Sequence, residues 1–221
     1  MSALEGWDFE RTPVVKETHL SRKPARESFV VALASVLLLL AASLVYWSDA
    51  FGAAHLLPAS REAVFAEGEY WRLLTSLFTH ADFQHFLTNA IVFGVLAFLL
   101  YGYYGPVAFP GLAIGCGALV TGLSLRTYPA QMLLVGASGV VYLMAGFWLT
   151  LYLFVERRTN LRTRIVRAIG FGLIVLVPTA VEPQVSYRTH ALGFAFGVAL
   201  GLAYFARRKD ELRAAERVEL D

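Results

Sequence analysis

Ser138 lies in VGASGVVYLMAGFW, residues 135–148, a run apolar enough for a lipid bilayer, and a hydroxyl there calls for a chemical reason. Three other polar residues pose the same question: His85 and Asn89 in HFLTN, and His190 in THALGFAFG. A serine, an imidazole to take its proton and a set of N–H donors are the parts of an acyl-transfer site. His85 and Asn89 are four residues apart, share a helix face and offer donors to one oxyanion. Gly136 and Gly139 mark a loop that re-enters the membrane and turns into a helix at Ser138. The N–H groups of a helix start have no intrahelical partner and point where negative charge would develop. His190 is left as general base, and Tyr142, one turn after Ser138, is placed to stack on its ring. No predicted span holds an aspartate, so the set reads as a Ser–His dyad that needs neither metal nor cofactor.

Taken singly, each residue has a plainer reading. Serine lines helix interfaces, and His85 with Asn89 could be an interhelical hydrogen-bonded pair. Tyr142 alone would be core, His80 a structural histidine, and Trp71 with Arg72 an interfacial anchor or loop brace. His19 and His55 read as solvent-exposed or interfacial. It is the placement of Ser138, His190, His85 and Asn89 at one depth that favours chemistry.

Depth follows from the elements that carry them. The chain has 221 residues, 57% of them hydrophobic and 16% charged, with a mean hydropathy of +0.56, which sets it apart from soluble domains. Six apolar runs stand at about 29–47, 85–104, 107–125, 132–155, 165–181 and 189–206. They lack the alternation of barrel strands, so six helices are expected, with a polar tail at 1–28, a membrane domain at 29–206 and a charged tail at 207–221. A long polar tail before the first run excludes a signal peptide. Cys116 is the single cysteine and has no partner in the chain.

Of the 19 Lys and Arg, all but Arg61, Arg72, Arg126 and Arg188 fall in the first tail, the segment after the fourth run or the last tail. Positive charge accumulates on the cytoplasmic side, so both termini are expected there. His85, Ser138 and His190 then all enter from the opposite side, just below the outer surface. Gly193, Gly197 and Gly201 form a small-residue stripe below His190, and Gly139, Ala145 and Gly146 thin the fourth helix. Together they would let the two backbones approach closely.

GASG at 136–139 with Tyr142, HFLTN at 85–89 and THALGFAFG at 189–197 resemble the GxSG, HxxxN and AHxxGxxxG elements of rhomboid intramembrane serine proteases. The segment EYWRLLTSLFTHADFQH, residues 69–85, is similar to that family's Trp-Arg loop and following histidine, matching Trp71, Arg72 and His80. The resemblance spans roughly residues 69–205. It implies an all-α membrane protein, a six-transmembrane-helix rhomboid-type bundle, with Ser138 as nucleophile and His190 as base. His85, Asn89 and the Ser138 N–H would form the oxyanion hole, with Gly136 and Tyr142 beside it. It also implies substrates that are single-pass membrane proteins cut in or near their spans, in a prokaryotic cell membrane, at a site open to the extracytoplasmic side. The lipid bilayer is the expected partner and nucleic acid is not. Two positions depart from the pattern. Thr189 stands where alanine is frequent, which would crowd the dyad, and residues 101–111 lack the acid that anchors the loop after the second span.

Competing chemistries lack their residues. There is no HExxH helix, no pair of intramembrane aspartates, no GxSxG elbow and no midplane acid for proton coupling. The remaining alternative is a catalytically silent rhomboid-like protein that binds membrane clients without cutting them.

Overall fold

With no water in the hydrocarbon, each apolar run must pair its backbone groups within itself. In the computed structural model, which describes residues 12–180 and 186–220, these runs are helices α1 (Ser28–Trp47), α4 (Phe83–Pro106), α5 (Ala113–Leu125), α6 (Ser138–Val155), α7 (Leu161–Ala180) and α8 (Tyr187–Ala214). Two short helices, α2 (Ala53–Leu56) and α3 (Arg72–Phe78), lie between α1 and α4, and two strands, β1 (Pro13–Glu17) and β2 (Arg217–Leu220), flank the set. Arg11 of the expected tail and residue 181 of the fifth run lie outside the described residues. Among those residues, Ser28–Trp47, Phe83–Leu125, Ser138–Val155 and Tyr187–Ala214 are long and apolar enough to cross a membrane. The protein is an integral, multi-pass membrane protein. Helix α7 falls short of that standard, with Arg162, Arg164 and Arg167 in its first seven residues.

The stretch Phe83–Leu125 has 43 residues, which as one rod would be roughly 65 Å long, about twice the hydrocarbon thickness. It folds back instead. Gly105 takes φ 76, Phe109 is extended, and a cis peptide joins Phe109 to Pro110. His85 at the start of α4 lies against Gly136, and Gly117 of α5 lies against Val140, so both arms return to the N-terminal end of α6. The irregular turn also explains why α5 begins at Ala113 and not at the expected 107. Phe109 is buried in that turn, with its ring 5.6 Å from that of Phe93.

Helix α6 is the axis of the bundle, with 67% of its window buried against 22% for α1. Its partner α8 meets it through glycine. A Cβ on Gly193 would lie 2.4 Å from the Gly139 carbonyl oxygen, one on Gly197 2.0 Å from that of Leu143, and one on Gly146 2.5 Å from that of Phe194. Gly201 faces Thr150 in the same way, at 2.7 Å. The stripe read from the sequence is therefore an obligatory backbone contact. The helix starts later than its apolar run, because Leu134 forms an antiparallel bridge with Ala59 in the segment after α2. Gly136, at φ 117, makes the turn into the helix.

The two tails, expected as separate charged ends, pair with each other. Strands β1 and β2 are antiparallel, Val14 opposite Glu219 and Val15 opposite Val218, with Arg217 3.1 Å from Glu17. His19, expected at the surface, is buried at 4% exposure and stacks on Tyr104. The segment carrying it crosses the end of α4, whose last carbonyls are bonded by it and by α8. The Ala25 N–H donates to the Gly102 carbonyl at 2.9 Å, Arg22 donates to the Tyr103 carbonyl at 3.1 Å, and Tyr204 of α8 donates to the Tyr104 carbonyl at 3.2 Å.

Replacing Gly197 with alanine should separate α6 from α8. Overpacking of this kind costs roughly 1–3 kcal/mol, so the unfolding midpoint of Gly197→Ala in detergent should fall well below wild type. The same change at Gly170, where a Cβ would meet open space, should leave it unmoved.

Candidate active site

Ser138 is the first residue of α6 and half-buried. The first intrahelical bond runs from the Val141 N–H to the Ala137 carbonyl at 2.9 Å, so the N–H groups of Ser138, Gly139 and Val140 precede the helical ladder. One turn on, the Tyr142 ring stacks on the His190 imidazole with centroids 4.0 Å apart and planes 15° from parallel. His190 is buried at 5% exposure, and neither of its ring nitrogens has a hydrogen-bond partner. Tyr142 is itself fixed, because its hydroxyl donates to the Leu176 carbonyl of α7 at 3.0 Å. The contact of Gly139 with Gly193 lies immediately beneath. The histidine thus stands at the start of α6, where α6 and α8 meet backbone to backbone.

On the other flank, His85 packs on the turn before the serine: a Cβ on Gly136 would lie 2.7 Å from His85 Cε1 and 3.0 Å from its Nε2. The glycine is required twice there, by its positive φ and by the imidazole against it. Asn89 is buried, and its amide donates to the His85 carbonyl at 2.9 Å while its Oδ1 has no partner. The structure therefore brings Ser138, His190, Tyr142, Gly136 and His85 around one helix start, with Asn89 one turn along α4 from His85.

His80 holds this arrangement from behind. Its Nε2 accepts the Ala137 N–H at 3.3 Å, which puts its proton on Nδ1, 3.0 Å from the Ser43 hydroxyl of α1. Ser43 in turn donates to the Phe78 carbonyl at 3.4 Å, and Trp47 donates its indole N–H to the His80 carbonyl at 2.7 Å. This relay of donors ends one residue before Ser138, and the Gly136 N–H adds a bond to the Ser76 carbonyl at 2.9 Å. Burial pushes His80 down from 6.5 to about 3, with the neighbouring His85 adding to the effect, so the ring is neutral and can accept. The sequence reading had no role for Ser43. Its signal was a hydroxyl in an otherwise apolar run, indistinguishable there from a packing serine.

Farther out, Arg72 is the brace expected of it, bonded to Glu69 at 2.5 Å, to the Pro58 carbonyl at 3.0 Å and to the His55 carbonyl. Trp71 is half exposed, as an anchor would be, and His55 is exposed. At the head of α8, Tyr128 donates to Ser186 at 2.6 Å and Ser186 to Thr189 at 2.5 Å, fixing the turn that carries His190. The crowding expected from Thr189 falls on Gly139, whose Cβ would lie 2.8 Å from the threonine methyl. Glycine beside the serine makes room for it.

The family model of the rhomboid domain matches residues 67–207, which include Ser138, His190, His85, Asn89, Gly136, Tyr142 and His80 but not Ser43 or Trp47 of α1. The chain belongs to the rhomboid family. It is 27% identical over 192 residues to "Putative rhomboid protease YdcA" of Bacillus subtilis (strain 168), covering 84% of this chain and 90% of that one. It is 25% identical over 156 residues to "Rhomboid-like protease 1" of Toxoplasma gondii, covering 69% of this chain and 53% of the relative, about half its length. Both relatives carry the word protease in their names. In this rhomboid the turn that presents the serine is held by a neutral histidine, and that histidine is open to test.

In His80→Ala the Ala137 N–H is left buried and unpaired, at a cost of about 1–3 kcal/mol. The variant should unfold at lower temperature than wild type at pH 7. Because the folded-state value lies below the unfolded one, His80 contributes stability that is present above pH 6.5 and is lost as pH falls toward 3. The gap between wild type and His80→Ala should therefore narrow between pH 7 and pH 5, and a pH-independent gap would refute the neutral acceptor.

Proposed function

We propose that this rhomboid is an intramembrane serine endopeptidase that works through a Ser138–His190 dyad. The observation that carries the reading is the buried His190 ring, stacked on Tyr142 at the head of α6 with both nitrogens free of protein partners. A buried imidazole in a membrane protein is a candidate for function, and the nucleophile presented at that helix start is the serine hydroxyl. Catalytic hydrogen bonds are often long before substrate binds, so an unbonded His190 is compatible with the role.

In the first step Ser138 Oγ forms a bond to a peptide carbonyl carbon as His190 takes its proton. The tetrahedral oxyanion is met by the Ser138 N–H and by side-chain donors of His85 and Asn89. Asn89 has a second amide N–H for this, beside the one that serves the His85 carbonyl. Collapse breaks the C–N bond and His190 returns the proton to the leaving amine. Water then attacks the acyl-enzyme, giving a proton to His190 and freeing Ser138 with it. Gly136 and Tyr142 keep the turn and the base in place.

The substrates proposed are single-pass membrane proteins, entering laterally and unwinding locally, since the carbonyls of an intact helix are hydrogen-bonded and shielded. An apolar cleft of about 600 Å³ between α6, α7 and α8, lined in part by Tyr142, Leu149, Leu173, Phe194 and Val198, offers a lipid-like wall beside the base. The proposed topology is six crossings with both termini cytoplasmic and the site open to the extracytoplasmic side of a prokaryotic membrane. Its support is the charge distribution and the β1–β2 pairing, which keeps the two ends of the described chain together.

Wild-type protein in proteoliposomes should be labelled by a fluorophosphonate probe, and Ser138→Ala and His190→Ala should not. Asn89→Ala should slow labelling by on the order of 10²-fold if its donor serves the oxyanion. Folded wild type that resists the probe would identify a silent, client-binding rhomboid instead.

A further inference from the structure

At the opposite ends of α4 and α8 from the serine lies a second cavity, of about 420 Å³, where the segment before α1 crosses the turn after α4. Arg22 and Lys23 of that segment, Tyr101 and Tyr103 of α4, and Arg208 and Glu211 of α8 line it. Three cations therefore face one carboxylate. That carboxylate is already taken, since Arg208 grips Glu211 through two nitrogens, at 2.5 and 2.6 Å. Arg22 reaches the Tyr103 carbonyl at 3.1 Å and no carboxylate, and among the described residues no ion pair involves Lys23. His19 borders the same space, its Nε2 2.7 Å from the Tyr103 carbonyl and 2.5 Å from an Arg22 nitrogen, and burial lowers its pKa. The Tyr104 hydroxyl nearby is buried without a partner.

A cavity lined by three cations and one carboxylate is net positive, and neighbouring guanidinium and ammonium groups suit a phosphate. Its volume lies within the range of small-molecule sites, about 300–1,000 Å³. Its place chooses the source. It sits at the ends of membrane-crossing helices, ringed by tyrosines of the kind that mark the headgroup level. Four to five residues past its wall, α1 opens with Phe29 and Val30, each 65% exposed, against which acyl chains can lie.

We propose that this cavity is a binding site for a phosphate group, supplied by the headgroup of an anionic phospholipid. The headgroup would bridge the segment before α1, the turn after α4 and the end of α8, adding to the hydrogen bonds and ring contacts of His19, Arg22, Ala25 and Tyr204 that already join them. The site is separate from the dyad and stands whether or not Ser138 is active.

The test compares the full-length protein in nanodiscs of phosphatidylcholine with and without phosphatidylglycerol, reading retained lipid by native mass spectrometry and the unfolding midpoint. Wild type should retain phosphatidylglycerol in preference to phosphatidylcholine and unfold later in its presence. Arg22→Gln/Lys23→Gln should lose the preference by roughly tenfold or more, each cation contributing to the attraction of an anionic headgroup. A control, Arg207→Gln/Lys209→Gln, removes two neighbouring cations that do not line the cavity and should keep the preference. No preference in wild type, undiminished preference in the first double variant, or equal loss in the control would overturn the proposal. Stabilisation by inorganic phosphate in pure phosphatidylcholine, with no gain from phosphatidylglycerol, would overturn the lipid source.

Discussion

The contact on which the rest depends is the approach of two backbones where α6 and α8 cross. In hydrocarbon no hydrophobic effect pushes helices together, so association rests on close packing. Here packing is close enough that Gly193 and Gly197 sit against carbonyl oxygens of α6 where no side chain fits. The same crossing sets the reach between a short side chain on one helix and a ring on the other. A serine has one rotatable bond before its oxygen, so the histidine must be brought to it by the main chain. Tyr142 then limits the ring to one plane.

Around that crossing the protein spends its few buried polar groups on holding loops, each from a different element. His80, carried by the turn before α4 and backed by α1, fixes the turn before α6. Tyr128 and Ser186 fix the head of α8, and Arg72 fixes the segment after α2. The helix start that carries Ser138 is thereby supported by neighbours on several sides while its own first N–H groups precede the helical ladder.

How much of this was legible depended on period and on residue type. The apolar runs gave the helices, and residue types at fixed spacings picked out Ser138, His190, His85 and Asn89. The ends of the helices were less legible. Apolar content continues from 132 through 155, yet the helix begins only at Ser138, because the Ala59–Leu134 bridge and the turn at Gly136, with φ 117, come first. The start of α5 was obscured in the same way, by an irregular turn through Pro106 and Pro110 made of residues as apolar as a helix. The burial of His19 and the pairing of β1 with β2 left no mark at all. A lone histidine in a polar segment has no period, and strands of five and four residues, partly or wholly exposed, show no alternation to read. The tertiary partner decides both.

The β1–β2 ladder joins segments separated by almost the whole described chain, and this has a consequence for how the protein is made. A strand can pair only with one that already exists, and Arg217–Leu220 emerges from the ribosome after α1 to α8 have been synthesised. Until then Pro13–Glu17 has no ladder partner, and the segment that crosses the end of α4 is anchored from one side only. Closure of the ends is thus a late step of biogenesis. It records that α8 has arrived beside α4, as a latch records that a door has shut.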